Sequence, residues 1–262
     1  MNKLSKLLLY SVFHGNLNYS SIPEESFHEI IDSCYWPILD AIKDFNFKPG
    51  IEFPVNTLNK IQKIDPLFIE ELNKLIMEKK CEFVFSGKEQ IVSPLVPKEI
   101  NERNLNEGIK EIKRFFPKRQ QIAYVHEQIF SNGLIPIYLK SKFKNLMIIY
   151  ETALQTNNLN KQQNFSPTKI KSNQGELNII WNSRYAYQKF QKYVTGQTKK
   201  HEYLDFILGN KKLEDSCFPF YGSDMEIFSY KNTVLGLNGN RHKVKRFYDI
   251  LEEIQKHDEL DF

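Results

Sequence analysis

The chain contains little cysteine and no long apolar run. Its three cysteines, Cys34, Cys81 and Cys217, are odd in number and far apart in 262 residues. Such cysteines are typical of free thiols in a reducing compartment, so we expect a cytoplasmic protein. No segment approaches the roughly 20 apolar residues that a membrane-spanning helix needs, so we expect no membrane association. The short apolar run 7–13 lacks a small-residue cleavage site and is predicted to be a strand, not a signal peptide.

Motifs for several kinds of chemistry are also missing. The sequence has no G-x-S-x-G, no phosphate-cradling glycine loop and no H-E-x-x-H. The net charge is only +4, and lysines are interleaved with glutamates without the basic block that is typical of nucleic-acid-binding proteins. We therefore expect no cofactor and no nucleic-acid partner. One alternative stays open, a zinc site assembled from His14, His126 and Asp224.

The sequence does have a repeated alternation of short apolar runs and amphipathic helices. Strands are predicted at 7–13, 51–53, 81–85, 121–125, 145–150 and 177–181, with a further apolar run at 217–221. Helices are predicted at about 23–45, 65–80, 97–116, 134–141, 184–194, 202–208 and 240–257. Because parallel strands need crossover connections, this order predicts an α/β fold with a mostly parallel sheet. Periodicity alone does not separate an open sheet from a barrel.

The composition changes at residue 152. Residues 152–177 are rich in Asn, Gln, Lys and Ser, and we predict a long loop there that lies over the mouth of the sheet. The chain shows neither an internal repeat nor a linker. We therefore predict a single domain over residues 1–262.

Polar side chains stand where the predicted strands end. In a barrel these ends converge on one face, which is the usual place for chemistry. The residues are His14, Glu52, Glu89, Glu127, Glu151 and the pair Asp224 and Glu226. Several carboxylates with few candidate metal ligands favour acid/base or nucleophilic carboxylate chemistry, such as glycoside cleavage by two carboxyl groups.

Aromatic residues also lie near the predicted mouth. They would suit stacking against sugar rings, although packing in the core is the more frequent role of such residues. The candidates are Tyr10, Tyr124, Phe130, Trp181, Tyr221 and Phe228. Among them, Trp181 is predicted to contact substrate.

The order of these segments resembles glycoside hydrolase family 57. His14 is similar to the histidine at the end of that family's first strand, although Gly15-Asn16 stands where Gln-Pro is usual. Segment 82–90, followed by 94–97, resembles the third-strand region near the sugar site. Segment 123–130 resembles the one that bears the nucleophilic glutamate, with Tyr124 where Trp is frequent. Residues 224–228, Asp-Met-Glu-Ile-Phe, resemble the Asp-x-Glu-x-Phe segment whose aspartate is the general acid/base.

This resemblance implies an incomplete (β/α)7 barrel and a retaining enzyme that hydrolyses or transfers α-linked oligo- or polysaccharides. It gives the nucleophile role to Glu127 and the acid/base role to Asp224. His14 and Glu226 are then expected to hold sugar hydroxyls, and we expect Glu52, Glu89 and Trp181 to contact the substrate as well. After Phe228 only the final helix follows, so the resemblance implies a short member of the family.

Two further functions are left open by the sequence. The half-matched first motif and the short C-terminal part would also suit a non-catalytic sugar-binding protein on the same barrel. A metal-dependent hydrolase similar to polysaccharide deacetylases, which share a related barrel, is the other alternative. The Asp-Asp and His-x-x-x-His metal motifs of those enzymes are absent here. The oligomeric state is not indicated by the sequence.

Overall fold

The computed structural model describes residues 6–18, 22–118, 120–152, 165–173, 175–211, 216–228 and 242–262. The strands in this part are β1 (Leu7–His14), β2 (Gly50–Glu52), β3 (Glu82–Val84), β4 (Ile122–Tyr124), β5 (Asn145–Ile149), β6 (Thr168–Ser172), β7 (Gly175–Asn182), β8 (Cys217–Asp224) and β9 (Leu260–Asp261). The helices are α1 (Phe27–Ile30), α2 (Trp36–Asp44), α3 (Val55–Ile64), α4 (Pro66–Met77), α5 (Lys98–Glu111), α6 (Ile135–Lys140), α7 (Arg184–Val194), α8 (Lys200–Leu208) and α9 (His242–Lys256).

Seven parallel strands follow one another in the order β8-β1-β2-β3-β4-β5-β7. The pairing β8-β1-β2-β3 forms one sheet and β4-β5-β7 forms the other. Phe85, just after β3, pairs in parallel with Ala123 of β4 and joins the two sheets. β6 is antiparallel to β7, and β9 adds to the start of β1. The predicted α/β fold with mostly parallel strands is therefore confirmed.

The ring of strands is open between β7 and β8. Within the described residues no backbone pairing joins these two strands. A side chain spans the gap instead, since Asn182 Nδ2 donates to the carbonyl oxygen of Gly222 over 2.6 Å. A Cβ at Gly222 would lie 2.0 Å from Asn182 Oδ1, so a larger residue would displace the Asn182 side chain from this bridge. The arrangement is that of an incomplete (β/α)7 barrel.

The core has two parts because strand side chains alternate between two faces. A small cluster of Val12, Val84, Tyr124 and Met147 lies on the face of the strands that also carries His14. A large cluster fills the other face and packs the helices against the strands. His14 follows Val12 by two residues, so packing of Val12 inside the ring directs His14 to the mouth.

Three elements were not predicted from the sequence: α3, β6 and β9. β6 falls inside the predicted loop 152–177, so that prediction is wrong for Thr168–Ser172 and for the first residues of β7. Only Ile170 is apolar in β6, which explains its weak strand signal. Residues 153–164 of the predicted loop lie outside the described residues. The predicted C-terminal helix is α9, of which residues 242–256 are described.

No helix in the described segments combines the length and the apolar composition that crossing a membrane requires.

Candidate active site

A buried histidine–glutamate pair forms the floor of the mouth. His14 and Glu52 end β1 and β2 and are direct partners in the strand register. His14 Nδ1 is hydrogen-bonded to Glu52 Oε2, and the Glu52 side chain is fully buried. Burial lowers the pKa of His14, but the charge and hydrogen bond of Glu52, with the charges of Asp224 and Glu226, raise that pKa to about 10 overall. For Glu52, burial raises the pKa, but the charge and hydrogen bond of His14 together lower it by more. The net pKa of Glu52 therefore falls below its usual value. The pair is therefore an ion pair at neutral pH.

Asp224 lies beside His14 on the other flank of β1. It ends β8 and is the register partner of His14, and its Oδ1 is 3.9 Å from His14 Nε2. Desolvation raises the pKa of Asp224, the charge of His14 lowers it, and the charges of Glu127 and Glu52 raise it, with a net increase. Because the side chain is 65% exposed, solvent weakens the desolvation effect, and the charge of His14 then opposes the smaller effects of Glu127 and Glu52. A proton on Asp224 is thus favoured by the charges of Glu127 and Glu52 and opposed by the charge of His14.

Glu226 is buried two residues beyond Asp224, in the 3₁₀ helix Met225–Phe228. Its Oε1 accepts hydrogen bonds from the backbone N–H of Asn16, over 2.8 Å, and from the hydroxyl of Tyr35, over 2.5 Å. Burial and the charge of Asp224 raise the pKa of Glu226 to about 7, against the lowering effects of His14 and the two hydrogen bonds. This carboxyl therefore titrates near neutral pH.

Glu127 projects into the mouth from a strained turn after β4. Glu127 and Gln128 both have left-handed backbone conformations, with φ of 53° and 52°. This conformation is rare outside glycine, and it turns Glu127 to solvent while its neighbours His126 and Gln128 stay buried. Gln90 Nε2 donates to Glu127 Oε1 over 2.7 Å and orients the carboxylate. The turn and Gln90 thus hold the exposed carboxylate of Glu127 in a fixed position.

His126 lies beneath this carboxylate and next to the ion pair. Its ring contacts the His14 ring edge-on, with 6.1 Å between centroids, and it is 2% exposed. Neither ring nitrogen has a hydrogen-bond partner in the described part of the chain. Burial lowers the pKa of His126 to about 4, against the opposite effect of Glu52. His126 is therefore neutral above that pH.

The zinc alternative gains no support from the described segments. There, no group of three or more His, Cys, Asp or Glu side chains has an arrangement that could hold a metal ion. His14, one of the three residues considered, also uses its Nδ1 for Glu52.

The structure brings together most of the residues that the sequence singled out. His14, Glu52, Glu127, Asp224 and Glu226 interact at the mouth. Glu52 has no exposed surface, however, so it holds His14 and does not itself reach a sugar.

Three of the candidate residues do not take part in the interactions at the mouth. Glu89 lies in a separate groove, where it accepts a hydrogen bond from Asn56. Trp181 is 1% exposed and donates to Thr168 Oγ1 over 2.9 Å, so it belongs to the core and offers no face for sugar stacking. Glu151 accepts from the Ser183 hydroxyl and the Arg184 N–H and caps the start of α7.

A network of amide side chains at the mouth was not predicted. Asn16 Nδ2 donates to Gln90 Oε1, and Gln90 in turn holds Glu127. On the other side, Gln128 Nε2 donates to the Tyr124 hydroxyl over 2.8 Å, and Asn182 Nδ2 donates to Gln128 Oε1 over 2.7 Å. The one sequence signal was position, because Asn16, Gln90 and Asn182 stand at or just after strand ends.

Solved structures with the same fold were found by comparison. The chain superposes on a 4-alpha-glucanotransferase from Thermococcus litoralis with a TM-score of 0.81 and 13% identity, covering 98% of this chain and 39% of that one. A family 57-type branching enzyme from Pyrococcus horikoshii gives a TM-score of 0.71 and 14% identity over 98% and 69% of the two chains. The alpha-amylase AmyC from Thermotoga maritima gives 0.72 and 11% over 98% and 73%. No curated protein sequence matches the chain.

At these identities the likeness shows the fold, and the chain spans well under half of the glucanotransferase. The comparison of the sequence with family models goes further, because the model for glycosyl hydrolase family 57 matches residues 11–260, from within β1 to β9. This chain is a member of glycosyl hydrolase family 57.

Proposed function

We propose that the chain is a retaining carbohydrate-active enzyme that hydrolyses or transfers α-linked oligo- or polysaccharides. The observation that carries the proposal is the pairing of two carboxyl groups at one mouth. Glu127 follows β4 directly after His126, whose ring contacts that of His14, and Asp224 ends β8 with its Oδ1 3.9 Å from His14 Nε2. The charge of Glu127 also raises the pKa of Asp224. A retaining mechanism requires carboxyl groups about 5–5.5 Å apart, which is the separation we expect.

In this mechanism Glu127 attacks the anomeric carbon while Asp224 gives its proton to the departing glycosidic oxygen. A covalent glycosyl ester forms on Glu127 and the bond to the leaving sugar breaks. Asp224, now a carboxylate, then takes a proton from water or from an acceptor hydroxyl, which attacks the same carbon and releases Glu127. Gln90 fixes the attacking carboxylate, and the charged His14 lies next to Asp224.

The charges of the two carboxyl groups explain how Asp224 changes role. Before attack, the negative charge of Glu127 raises the pKa of Asp224 and favours the acid form. Once Glu127 is an ester, that charge is gone, and the nearby His14 cation favours the carboxylate of Asp224. The acid of the first step therefore becomes the base of the second.

The substrate class is inferred from the family and from the named relatives. Two of the similar structures are a 4-alpha-glucanotransferase and an alpha-amylase. We therefore infer that an α-linked glucan or a related oligosaccharide is the binding partner.

The test compares Glu127→Gln with Glu151→Gln. Both changes remove a strand-end carboxylate, but Glu151 only caps α7. On a panel of maltooligosaccharides and activated fluoro-α-glycosides, we expect Glu127→Gln to lose about a thousandfold or more in turnover. We expect Glu151→Gln to stay within a few-fold of wild type. Mass spectrometry of the wild-type chain incubated with the fluoro-glycosides should find the trapped sugar on Glu127.

Equal activity of wild type and Glu127→Gln would refute the nucleophile assignment. Binding of an oligosaccharide without turnover or adduct by the wild-type chain would instead favour a sugar-binding protein.

We also infer a reducing compartment, in line with a cytoplasmic location, and a single folding unit. Cys34, Cys81 and Cys217 are free thiols, and Cys34 and Cys81 are buried. A disulfide at any of them in protein isolated from its source cells would contradict the first inference. Two separate unfolding transitions in calorimetry would contradict the second.

A further inference from the structure

A groove of about 750 Å³ lies apart from the cluster of catalytic carboxylates, since neither Glu127 nor Asp224 lines it. It lies between α3 and the chain that follows α5. Four side-chain amides line it, those of Asn18, Asn56, Asn59 and Gln62. Its volume is within the range of about 300–1,000 Å³ that is usual for small-molecule sites.

Helix α3 builds one wall of the groove. Asn56, Asn59 and Lys63 are separated by three and four residues, so they lie along one face of the helix. The opposite face is buried through Val55, Leu58 and Ile61. Packing of the apolar face in the core therefore directs the polar face of α3 toward the groove, whether or not a ligand is bound.

The amides suit a ligand rich in hydroxyl groups. Each carries an N–H donor pair and a carbonyl acceptor, which matches hydroxyls that both donate and accept. Asn56 and Asn59 already use part of this capacity for Glu89 and Glu111, so a ligand would use their remaining N–H groups and lone pairs. Asn59 is fixed by its neighbours, since Arg114 Nη2 donates to its Oδ1 over 2.9 Å. Gln62 and Lys63 are exposed at the C-terminal end of α3.

The charges favour a neutral ligand over an anion. Three cations line the groove, but Lys60 pairs with Glu24 over 3.2 Å and Arg114 lies 3.7 Å from Glu111. Glu89 adds a carboxyl group to the lining itself. Most of the positive charge is thus already compensated, as a neutral saccharide requires.

One short loop borders both the groove and the catalytic mouth. Gln90 donates to Glu127, and the residue before it, Glu89, accepts from Asn56 in the groove. This loop is fixed on α5, because Asn104 Oδ1 accepts from the Glu89 N–H over 2.8 Å and Asn104 Nδ2 donates to the Glu89 carbonyl over 3.0 Å. The part of the groove that Glu89 lines therefore adjoins the catalytic centre.

We propose that this groove binds further units of the saccharide chain whose reacting bond lies between Glu127 and Asp224. The proposal rests on the proposed function, because it extends the same substrate away from the reacting bond. It assigns the recognition of chain length to α3 and to the loop that carries Glu89.

The test is the double variant Gln62→Ala/Lys63→Ala in the full chain. Its control is Gln255→Ala/Lys256→Ala, which removes an equivalent exposed Gln-Lys pair from the last turn of α9. The quantity measured is kcat/KM on maltooligosaccharides from maltose to long maltodextrins. We expect the ratio of the long to the short substrates to fall about tenfold in the groove variant, as the loss of one or two hydrogen bonds predicts. The control should keep the wild-type ratio. An unchanged ratio in the groove variant overturns the proposal.

A binding measurement separates this proposal from the proposed function. Maltoheptaose and a long maltodextrin are titrated calorimetrically into full-length Glu127→Gln, with and without the groove substitutions. Weaker binding of the long dextrin to the groove variant supports the groove even if the wild-type chain turns over no saccharide, in which case only the proposed function falls. No binding, or equal binding with and without the substitutions, overturns the groove proposal whatever the activity.

Discussion

Replacement of Glu226 by glutamine tests the electrostatics of the site with little change in shape. Glutamine keeps a carbonyl oxygen to accept from Tyr35 and Asn16, but it cannot ionise. In the folded chain the pKa of Glu226 is raised from 4.5 to about 7, by burial and then by the charge of Asp224. Between these two pH values the folded chain holds a proton that the unfolded chain has released. The contribution of Glu226 to stability therefore falls as the pH rises through this window.

The size of the effect follows from the shift. A rise from 4.5 to about 7 is roughly 2.5 pKa units, and each unit corresponds to about 1.4 kcal/mol. The free energy of unfolding of Glu226→Gln, relative to wild type, should thus increase by about 3 kcal/mol between pH 4.5 and pH 8. The comparison with wild type is essential because His126 acts in the opposite direction. Its pKa is lowered to about 4 by burial, so its contribution to stability rises with pH up to about 6.5.

The assay is urea unfolding followed by tryptophan fluorescence at pH steps between 4.5 and 8. Subtraction of the wild-type curve cancels the contributions of Glu52 and His126, which both proteins share. Glu176→Gln removes an exposed carboxylate of β7 and controls for the change in net charge. A difference between Glu226→Gln and wild type that is the same at every pH would show that Glu226 does not hold a proton near neutral pH. The account of the site's charges would then be wrong.

Two more substitutions test the structural roles of Trp181 and Asn182. Trp181→Phe keeps a ring in the core but loses the hydrogen bond to Thr168. We therefore expect a loss of about 1–2 kcal/mol of stability in urea unfolding and no change in KM. A tenfold increase in KM would instead show that Trp181 contacts the substrate. Asn182→Ala removes the donor to the buried Gly222 carbonyl and Gln128 Oε1 at the β7–β8 opening, so we expect a loss of about 1–3 kcal/mol by the same measurement. Wild-type stability of Asn182→Ala would mean that this bridge does not hold the two strands together.

The sequence predicted the parallel strands because each is a short apolar run between turn residues. The same pattern could have found α3, since Val55, Leu58 and Ile61 recur every three residues. Its intervening Asn and Thr residues are poor helix formers and hide that period. β6 has one apolar residue in five. It forms because its backbone pairs with the edge of β7, and this pairing is not encoded in the local sequence of β6.

Trp181 and Asn182 show that adjacent residues of a strand have different roles because their side chains lie on opposite faces. In β7 the side chains of Leu177, Ile179 and Trp181 share a face and are all buried at 1% exposure or less. Asn182, the next residue, points to the other face and bridges to β8. A strand end was predicted correctly here, but the choice between adjacent residues depends on which face meets the helices, and the local sequence does not contain that information.

The amide network could not be predicted for a different reason. Its members are far apart in the chain, and asparagine and glutamine have no periodic pattern that marks them as functional. Asn16 and Gln90, for example, are separated by 74 residues and meet only because β1 and the loop after β3 end at the same mouth. Their positions after strand ends were visible, but their partners were not.

The departure from the family pattern at Gly15-Asn16 bears on whether the chain is catalytic. Gly15 is required because a Cβ there would lie 2.1 Å from Phe53 Cε1. Asn16 then uses its backbone N–H for Glu226 and its side chain for Gln90, which holds Glu127. The two residues that replace Gln-Pro therefore connect the carboxyl beside Asp224 to the glutamine that orients Glu127. A strained turn and a chain of three hydrogen bonds thus orient Glu127, as the proposed nucleophile role requires. The half-matched motif is thus compatible with the proposed mechanism, because Asn16 holds Glu226 and the glutamine that orients Glu127.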